Sequence, residues 1–337
     1  MTLYAFGSSD DGLAVTEVRL ALPSGLAASI LDRGAVVRDL QIPTQNGASQ
    51  RVVLGYRDLV GYEADQGYLG ALAGRHANRI ARGRFKLGGR IHQLTLNEHG
   101  RTHLHGGLIG FSRRGWRILE HTDASVTLGL TSPAGEEGYP GTLEASCTYR
   151  LVDPGTLSIR MTAETDLPTI VNFAHHSYFT LNYGQSIRDH LLQIDAEHYT
   201  PTDGELIPTG AIVSVTDTPF DFRRLRRIAE ADIPYDINFV LHRVQAGLHR
   251  AARLLAPDGG LAMEVYTTEP GLQFYDGGYL KASHPGLDGR PHFPHAGLCL
   301  EPGRFPDGPN QPNFPSPLLR PGEVYRQTTE YRFVNAD

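Results

Sequence analysis

The chain has 337 residues, of which 40% are hydrophobic and 20% are charged, a composition that excludes an intrinsically disordered protein. Its formal net charge of −6 provides no basic field to hold a polyanion, so we expect neither a nucleic-acid partner nor an anionic membrane. No apolar run approaches the roughly 20 residues needed to cross a bilayer, and residues 1–7 lack the basic start of a signal peptide. We therefore predict a cytoplasmic protein.

The two cysteines, Cys147 and Cys299, each lie in a stretch in which apolar and polar residues alternate. This pattern is typical of strands with one buried face. We expect two reduced, buried thiols, as in a cytoplasmic protein, and a single disulfide between them is the alternative.

Alternation of apolar and polar residues with a period of two recurs along the chain and indicates half-buried strands. It predicts strands at 15–22, 36–42, 90–96, 116–120, 126–130, 143–151, 157–163, 191–195, 261–266 and 325–333. Helical patterns are scarce, and short helices are predicted at 59–66 and 225–230. Strands do not alternate regularly with helices, and no linker or repeat divides the chain. We predict one all-β domain over residues 1–337, built as a large antiparallel β-sandwich.

Four arginines lie close together in residues 74–85, at Arg75, Arg79, Arg82 and Arg84. Their guanidinium groups could bind a carboxylate or a phosphate. More commonly, such charges keep a solvated strand edge from aggregating, and the spacing favours that interpretation. Asn78 and Arg79 adjoin the apolar Ile80, so we expect this pair to point inward.

Two pairs of histidines stand out among the residues that exchange protons near neutral pH. His103 and His105 would share one side of an extended strand, and His175 and His176 follow a predicted strand at 169–173. Such imidazoles can ligate a metal ion, but the chain lacks the partner spacings typical of metal sites. The two glycines after His105 would let the backbone approach a ligand closely. For any one histidine taken alone, packing in the core is the default interpretation.

A carboxylate, Glu301, follows a predicted apolar strand at 297–300. Burying a carboxylate is costly unless it has a partner or a function, and one of the arginines could be that partner. If Glu301 instead faced a histidine across a pocket, the two side chains would form the base and the acid that proton transfer at both ends of a substrate requires.

Eight motifs occur in order between residues 55 and 333. They are 74–85; Leu104-His105-Gly106-Gly107 with Gly110-Phe111 and Trp116; His176-Ser177-Tyr178-Phe179; Leu206-Ile207-Pro208-Thr209-Gly210; Pro219-Phe220-Asp221; Tyr235-Asp236 with Asn238-Phe239; Pro270-Gly271-Leu272-Gln273-Phe274-Tyr275; and Leu300-Glu301 with Phe305-Pro306-Asp307 and Asn310-Gln311-Pro312. Together they resemble the aldose 1-epimerase (galactose mutarotase) family. Any one motif would be weak evidence, whereas eight in order span nearly the whole chain.

The resemblance implies a mutarotase-type β-sandwich whose large sheet curves around an open sugar pocket. It also implies interconversion of the α and β anomers of a free aldose without a metal or an organic cofactor. The implied partner is a monosaccharide substrate, and a monomer and a homodimer are both open.

The motifs also assign roles. The catalytic matches are Glu301 for the general base, His176 for the general acid and His105 for a second active-site histidine. The residues that match those holding the sugar hydroxyls are Asn78, Arg79, Asp236 and Gln273. Acid–base opening of a hemiacetal needs an ionised Glu301 and a protonated His176 at the start, so we expect His176 to lie near negative charge.

Five residues depart from the usual family pattern: His175 and Thr180 near the acid histidine, Ile237 after Asp236, and Pro302-Gly303 after Glu301. These residues neighbour the matched site residues and can reshape the pocket wall, so a preference for galactose or glucose does not follow from the resemblance, while the proton-transfer pair is intact. Three other functions remain open: a sugar-phosphate epimerase that uses Arg75, Arg82 or Arg84, a non-catalytic sugar-binding protein, and a metal-dependent hydrolase or isomerase.

Overall fold

A computed structural model describes residues 2–44, 47–242 and 247–335. The N-terminal strands are β1 (Thr2–Ser8), β2 (Ala14–Ala21), β3 (Ala27–Leu31), β4 (Val36–Pro43), β5 (Ser49–Arg51), β6 (Leu72–Ala73), β7 (Arg79–Ile80), β8 (Arg84–Leu87), β9 (Arg90–Gln93) and β10 (His103–Leu104). The central strands are β11 (Arg117–His121), β12 (Ser125–Ser132), β13 (Leu143–Val152), β14 (Thr156–Thr165), β15 (Thr169–Ile170), β16 (Ala174–His175), β17 (Leu191–Ile194), β18 (Ala196–Thr200), β19 (Val213–Ser214) and β20 (Arg226–Arg227). The C-terminal strands are β21 (Asp236–Leu241), β22 (His249–Leu255), β23 (Leu261–Thr267), β24 (Gly271–Tyr275), β25 (Cys299–Gly303), β26 (Leu318–Leu319) and β27 (Tyr325–Asn335).

Helices contribute little to the described residues. The one α-helix there is α1 (Leu59–Ala64), which begins where the Asp58 side chain accepts a hydrogen bond from the backbone N–H of Gly61. Short 3₁₀ turns lie at Ala81–Gly83, Phe111–Arg113, Glu136–Gly138, Ile187–Asp189, Ile228–Glu230 and Gly308–Asn310. No described helix has the length and apolar character needed to span a membrane.

The predicted helix at 59–66 is confirmed by α1, and the predicted helix at 225–230 is wrong. Residues Arg226–Arg227 instead form β20, which pairs with β17, and a single 3₁₀ turn follows at Ile228–Glu230. Pairing with β17 provides hydrogen-bond partners for the backbone N–H and C=O groups of β20. The following turn buries the side chain of Ile228.

Three antiparallel sheets dominate the fold and confirm the predicted all-β class. The largest has nine strands in the order β11-β12-β13-β14-β27-β23-β22-β17-β20. Two five-stranded sheets have the orders β1-β2-β3-β4-β5 and β19-β18-β21-β24-β25. Sides of all three sheets contribute to one continuous apolar core, which includes Val18 of β2, Tyr331 of β27 and Leu272 of β24.

Alternation along the long strands explains how this core forms. On β13, the side chains of Leu143, Ala145, Cys147, Tyr149 and Leu151 are buried, and the residues between them are exposed or half-buried. Cys147 and Cys299 are both buried free thiols, as the sequence predicts.

Candidate functional site

An open cavity of about 790 Å³ contains six of the seven predicted site residues in its wall. These are Asn78, Arg79, His105, His176, Asp236 and Glu301. The seventh, Gln273, is 8% exposed and lies behind the wall, where it contacts Asp236. A concave site with several convergent polar groups is the usual form of a small-molecule site.

Three neighbouring strands supply one side of the cavity. In the register of β21, β24 and β25, Gln273 lies directly opposite Glu301, and Asp236 lies opposite Tyr275. The Gln273 Nε2 group donates a 2.6 Å hydrogen bond to Asp236 Oδ1. Gln273 Oε1 is buried and has no hydrogen-bond partner among the described residues.

The pairing of β7 with β10 brings Arg79 beside His105. The guanidinium of Arg79 donates to Glu98 from Nε (2.9 Å) and from Nη2 (2.8 Å), and its Nη1 lies 3.3 Å from Asp236 Oδ2. Burial disfavours the charged guanidinium, but the two carboxylates outweigh it and raise the pKa of Arg79. Arg79 is therefore a fixed cation in the cavity wall.

Sequence reasoning did not identify Glu98. Its carboxylate also accepts a 2.6 Å hydrogen bond from Thr102 Oγ1, and it lines the cavity. Burial works against this charge, but the hydrogen bonds from Arg79 and Thr102 lower the pKa of Glu98 overall. The available signal was that Glu98 is the sole carboxylate in residues 86–105.

His105 enters the cavity because the chain turns at the end of β10, where His105 has a φ of +49°. Its Nδ1 accepts a 3.2 Å hydrogen bond from the backbone N–H of Asn78, so the neutral ring carries its proton on Nε2. The ring packs 4.5 Å from that of Tyr68 and 5.2 Å from that of His176. Burial, with the nearby His176 and Arg79, lowers the pKa of His105 well below its usual value.

His176 and Glu301 face each other, with 3.7 Å between Nε2 and Oε1, and each is only 5% exposed. His176 follows β16, and the bridge between Phe179 and Leu298 holds its segment beside β25. The Nδ1 atom of His176 lies 3.5 Å from Cys299 Sγ. In the described part of the chain, no hydrogen-bond donor lies on the Glu301 carboxylate other than this imidazole contact. The Glu301 carboxyl group is thus available for a hydrogen bond with a ligand.

The protonation of this pair differs from the sequence-based expectation. Burial, followed by repulsion from Asp236, raises the pKa of Glu301 well above its usual value. Burial lowers the pKa of His176 to about 4, and no attraction from negative charge compensates for it. Low dielectric disfavours both charges, so burial shifts Glu301 toward its protonated form and His176 toward its neutral form.

His103 and His175 lie outside the cavity. His103 contacts the carbonyl of Thr95 (2.8 Å) and the hydroxyl of Tyr139 (2.6 Å), and His175 Nε2 contacts Ser177 Oγ (2.7 Å). The prediction that His103 and His105 share one side of a strand is wrong, because the left-handed φ of His105 ends the extended backbone. These four histidines do not converge on one metal site.

Arg75 neither lies where it could bind an anion in the cavity nor forms part of a solvated strand edge, the two roles considered for the arginines of residues 74–85. It is 2% exposed, and its guanidinium donates to the carbonyls of Ser132, Pro133, Pro140 and Gly141. Burial lowers the pKa of Arg75 to about 10. Neither Arg75 nor the outlying Arg82 and Arg84 lies in the cavity wall, so a phosphate bound in the cavity would not meet them.

The five departing residues do not form the cavity wall. Ile237 and Thr180 are buried at 5% and 0% exposure. Strand alternation explains Ile237, because the neighbour of an inward-pointing Asp236 must point to the opposite face. Pro302 forms part of β25, where its carbonyl accepts a hydrogen bond from Gln327.

The aldose 1-epimerase family model matches residues 16–332 of the chain. A galactose mutarotase from Mus musculus is 40% identical over 341 residues, which cover 99% of this chain and 98% of that protein. An aldose 1-epimerase from Escherichia coli K12 is 38% identical over 336 residues, which cover 96% of each. The chain belongs to the aldose 1-epimerase family.

Solved structures share the fold of this aldose 1-epimerase. A GalM/aldose epimerase homologue from C. elegans is 29% identical with a TM-score of 0.91, covering 96% of this chain and 100% of that one. A galactose 1-epimerase from Lactobacillus acidophilus is 27% identical with a TM-score of 0.85, covering 100% and 99%. The protein is therefore an isomerase with a galactose mutarotase-like β-sandwich, as the motifs imply.

Proposed function

We propose that this aldose 1-epimerase interconverts the α and β anomers of a free aldose, with Glu301 as the general base and His176 as the general acid. The observation that supports this mechanism best is the buried pair itself, with Nε2 and Oε1 3.7 Å apart in the wall of an open cavity. The C1 hydroxyl and the ring oxygen of an aldose are bonded to the same carbon. The base that acts on the hydroxyl and the acid that acts on the ring oxygen must therefore lie close together.

The reaction begins when Glu301 removes the proton of the C1 hydroxyl and His176 protonates the ring oxygen. The bond between C1 and the ring oxygen breaks, and C1 becomes an aldehyde. Rotation about the C1–C2 bond presents the other face of the aldehyde to the C5 hydroxyl. Closing the ring reverses both proton transfers and restores the two side chains.

Burial makes both groups more reactive. A carboxylate whose pKa is raised is a stronger base, and an imidazolium whose pKa is lowered is a stronger acid. The pair that burial favours, with the proton on Glu301 and a neutral His176, has the same number of protons as the reactive pair. Moving one proton from carboxyl to imidazole, directly or through a bound hydroxyl, therefore prepares the enzyme without exchange with solvent.

Sugar hydroxyls would meet donors and acceptors whose directions are already fixed. His105 offers its Nε2–H, because Asn78 occupies its Nδ1. Gln273, behind the wall, fixes the Asp236 carboxylate through the hydrogen bond from its Nε2. Charge-assisted bonds to Arg79 and Asp236 would then select the configuration of the remaining hydroxyls.

Polarimetry of freshly dissolved α-anomers tests the function. Galactose heads the panel because the mouse relative is named a galactose mutarotase. We expect faster relaxation to the same final rotation, in the presence of chelator. If no free aldose relaxes faster than without enzyme, the proposal is wrong.

The location of the protein and its binding partner are also proposals. We propose a cytoplasmic location, which two free, buried thiols favour over an oxidising compartment. The partner is a monosaccharide bound as substrate, and monomer and homodimer both stay open.

A further inference from the structure

Cys299 is a buried thiol at the active site that the proposed mechanism does not use. It is 0% exposed, and its Sγ lies 3.5 Å from Nδ1 of His176. One donor atom each from Cys299, His176 and Glu301 lie within 4.8 Å of one another. A thiol, an imidazole and a carboxylate are the three side chains that bind Zn²⁺ in proteins.

The separation of the sulfur and nitrogen donors equals that of a tetrahedral zinc site. With a Zn–S bond of about 2.3 Å and a Zn–N bond of about 2.0 Å, tetrahedral geometry separates sulfur and nitrogen by about 3.5 Å. The observed separation of Cys299 Sγ and His176 Nδ1 is 3.5 Å. Glu301 Oε1 lies 3.7 Å from Nε2, the other nitrogen of the same imidazole, so its side chain has to rotate toward Nδ1 to supply the third ligand.

We propose that His176, Cys299 and Glu301 form an inhibitory binding site for a soft divalent cation such as Zn²⁺ or Cd²⁺. The ion replaces the thiol proton of Cys299 and the proton that burial favours on the Glu301 carboxyl group; these protons pass to the solvent, and a water molecule takes the fourth position. Thiolate ligation favours soft ions over Mg²⁺ and Ca²⁺, which prefer oxygen ligands. The inhibition rests on the proposed function, because the ion would occupy the base and the acid together.

Access to the site is from the cavity, whose wall includes His176 and Glu301 but not Cys299. A bound sugar would cover the same two side chains. The cation should therefore compete with the sugar, and chelator should restore activity and never remove it. This separates an inhibitory site from a metal cofactor.

Titration of the untagged protein with Cd²⁺ tests the site without relying on activity. Cadmium bound to a thiolate gives an ultraviolet charge-transfer band, and calorimetry gives the affinity. The matched control uses the other cysteine, Cys147, which is also 0% exposed but lies in β13 and outside the cavity wall. We expect the band in wild type and in Cys147→Ser, and its loss in Cys299→Ser with an affinity lower by at least about tenfold.

A second variant keeps the test valid if Cys299→Ser does not fold, as circular dichroism would reveal. Glu301→Gln retains the thiol and should also weaken Cd²⁺ binding. The absence of the band in wild type, its persistence in folded Cys299→Ser, or unchanged affinity in Glu301→Gln would overturn the site.

Activity gives the second readout. Each variant that turns over is compared with its own metal-free rate, and Zn²⁺ should inhibit wild type and Cys147→Ser at lower concentrations than Cys299→Ser. A Cd²⁺ band in a protein without anomerase activity would uphold the site and refute the proposed function. Full activity without a Cd²⁺ band would uphold the proposed function and refute the site.

Discussion

Two carboxylates of this enzyme, Glu301 and Glu269, are equally buried at 5% exposure, but only Glu301 lies in the cavity wall. Comparing substitutions of the two residues therefore distinguishes loss of a catalytic carboxylate from the structural effect of replacing a buried one. We expect Glu301→Gln to abolish turnover while the protein still folds, because an amide of the same shape cannot take the C1 proton. Loss of the acid in His176→Asn should lower the rate by about 10²-fold or more.

Polarimetry and circular dichroism check this expectation, with Glu269→Gln as the matched control. The control should retain turnover in whatever fraction folds. Near-wild-type activity in Glu301→Gln would show that another group is the base.

The pH dependence of kcat/KM should report the shared proton of Glu301 and His176. Below the lowered pKa of His176, about 4, the pair gains a second proton and loses its base. Above the raised pKa of Glu301 it loses its only proton and has no acid. We therefore expect a bell whose acid limb lies near pH 4 and whose alkaline limb lies well above the usual glutamate range.

The profile is measured by polarimetry with chelator present, so that no cation occupies the pair. In Glu301→Gln any residual rate should lack the alkaline limb. An alkaline limb in the ordinary glutamate range would contradict the effect of burial.

Glu98 should act as a positioning residue for Arg79. Its carboxylate fixes Nε and Nη2 of the guanidinium, which leaves Nη1 toward Asp236 and the cavity. Glu98→Gln keeps the size but removes the charge and the paired geometry. We expect KM to rise several-fold with a smaller change in kcat, because substrate binding weakens while the proton-transfer pair is untouched.

The control for this prediction is Glu120→Gln, an exposed carboxylate on β11. It should leave both constants unchanged. Equal falls in kcat and kcat/KM for Glu98→Gln would indicate a role in the transition state instead.

Long strands could be predicted from the sequence more accurately than short ones, because alternation of apolar and polar residues is visible only over several residues. The strands predicted at 143–151, 157–163 and 325–333 are observed as β13, β14 and β27, within two residues at each end. These long strands bury one face, so their side chains carry a readable period.

The short strands that build the site could not be predicted in this way. Strands β6, β7, β10 and β16 have two residues each, which is too short for any period. They form because distant segments pair, as β7 does with β10. The contacts of Arg79 with Glu98 and of His176 with Cys299 depend on such pairings, so motif matching found the residues but not their partners.

The strand that carries Glu301 ends later than the apolar pattern predicts. The apolar pattern places it just after a strand, but it lies in the middle of β25, between Cys299 and Gly303. A residue before proline is held in an extended conformation, so Pro302 lets the strand continue. The carboxylate thereby gains the rigidity of a paired strand.

The turn after β10 should be intolerant of any side chain at Gly106. Its φ is +91°, and an added Cβ would lie 1.7 Å from the carbonyl oxygen of Gly74. The backbone would have to move, and His105 would move with it. We expect Gly106→Ala to lower the free energy of unfolding by more than about 3 kcal/mol and to reduce turnover.

Gly89 supplies the matched control, because its φ is +81° and no atom lies within 4 Å of the position that an added methyl group would take. Gly89→Ala carries only the conformational cost, about 1 kcal/mol. Urea denaturation measures both variants. Equal losses would mean that the contact with Gly74 is relieved at no cost.

For the whole molecule, one apolar core runs from Val18 to Phe333 and includes side chains of all three large sheets. A core shared by the N-terminal and C-terminal strands supports the single domain predicted over residues 1–337, which stays a prediction. It also encloses many histidines that the reaction does not use, and these determine how the fold responds to acid.

Burial lowers the pKa of four such histidines far below the usual value. His76 and His175 fall to about 3, and His103 and His190 to about 4. The unfolded chain takes up these protons near pH 6.5, but the native protein does not. Stability is therefore fully present above about pH 6.5 and is lost as the pH falls toward 4, by up to about 1.4 kcal/mol per pH unit for each histidine.

His76→Leu isolates one of these contributions. The ring of His76 is 0% exposed, and neither nitrogen has a hydrogen-bond partner among the described residues, so leucine removes a titrating group without breaking a bond. We expect similar or higher stability at about pH 7 and a shallower loss on acidification, by about one proton. Urea denaturation from about pH 7 to about pH 5 measures the slope. A slope equal to that of wild type would mean that His76 takes up its proton in the folded protein too, so that burial alone does not govern the acid response of this core.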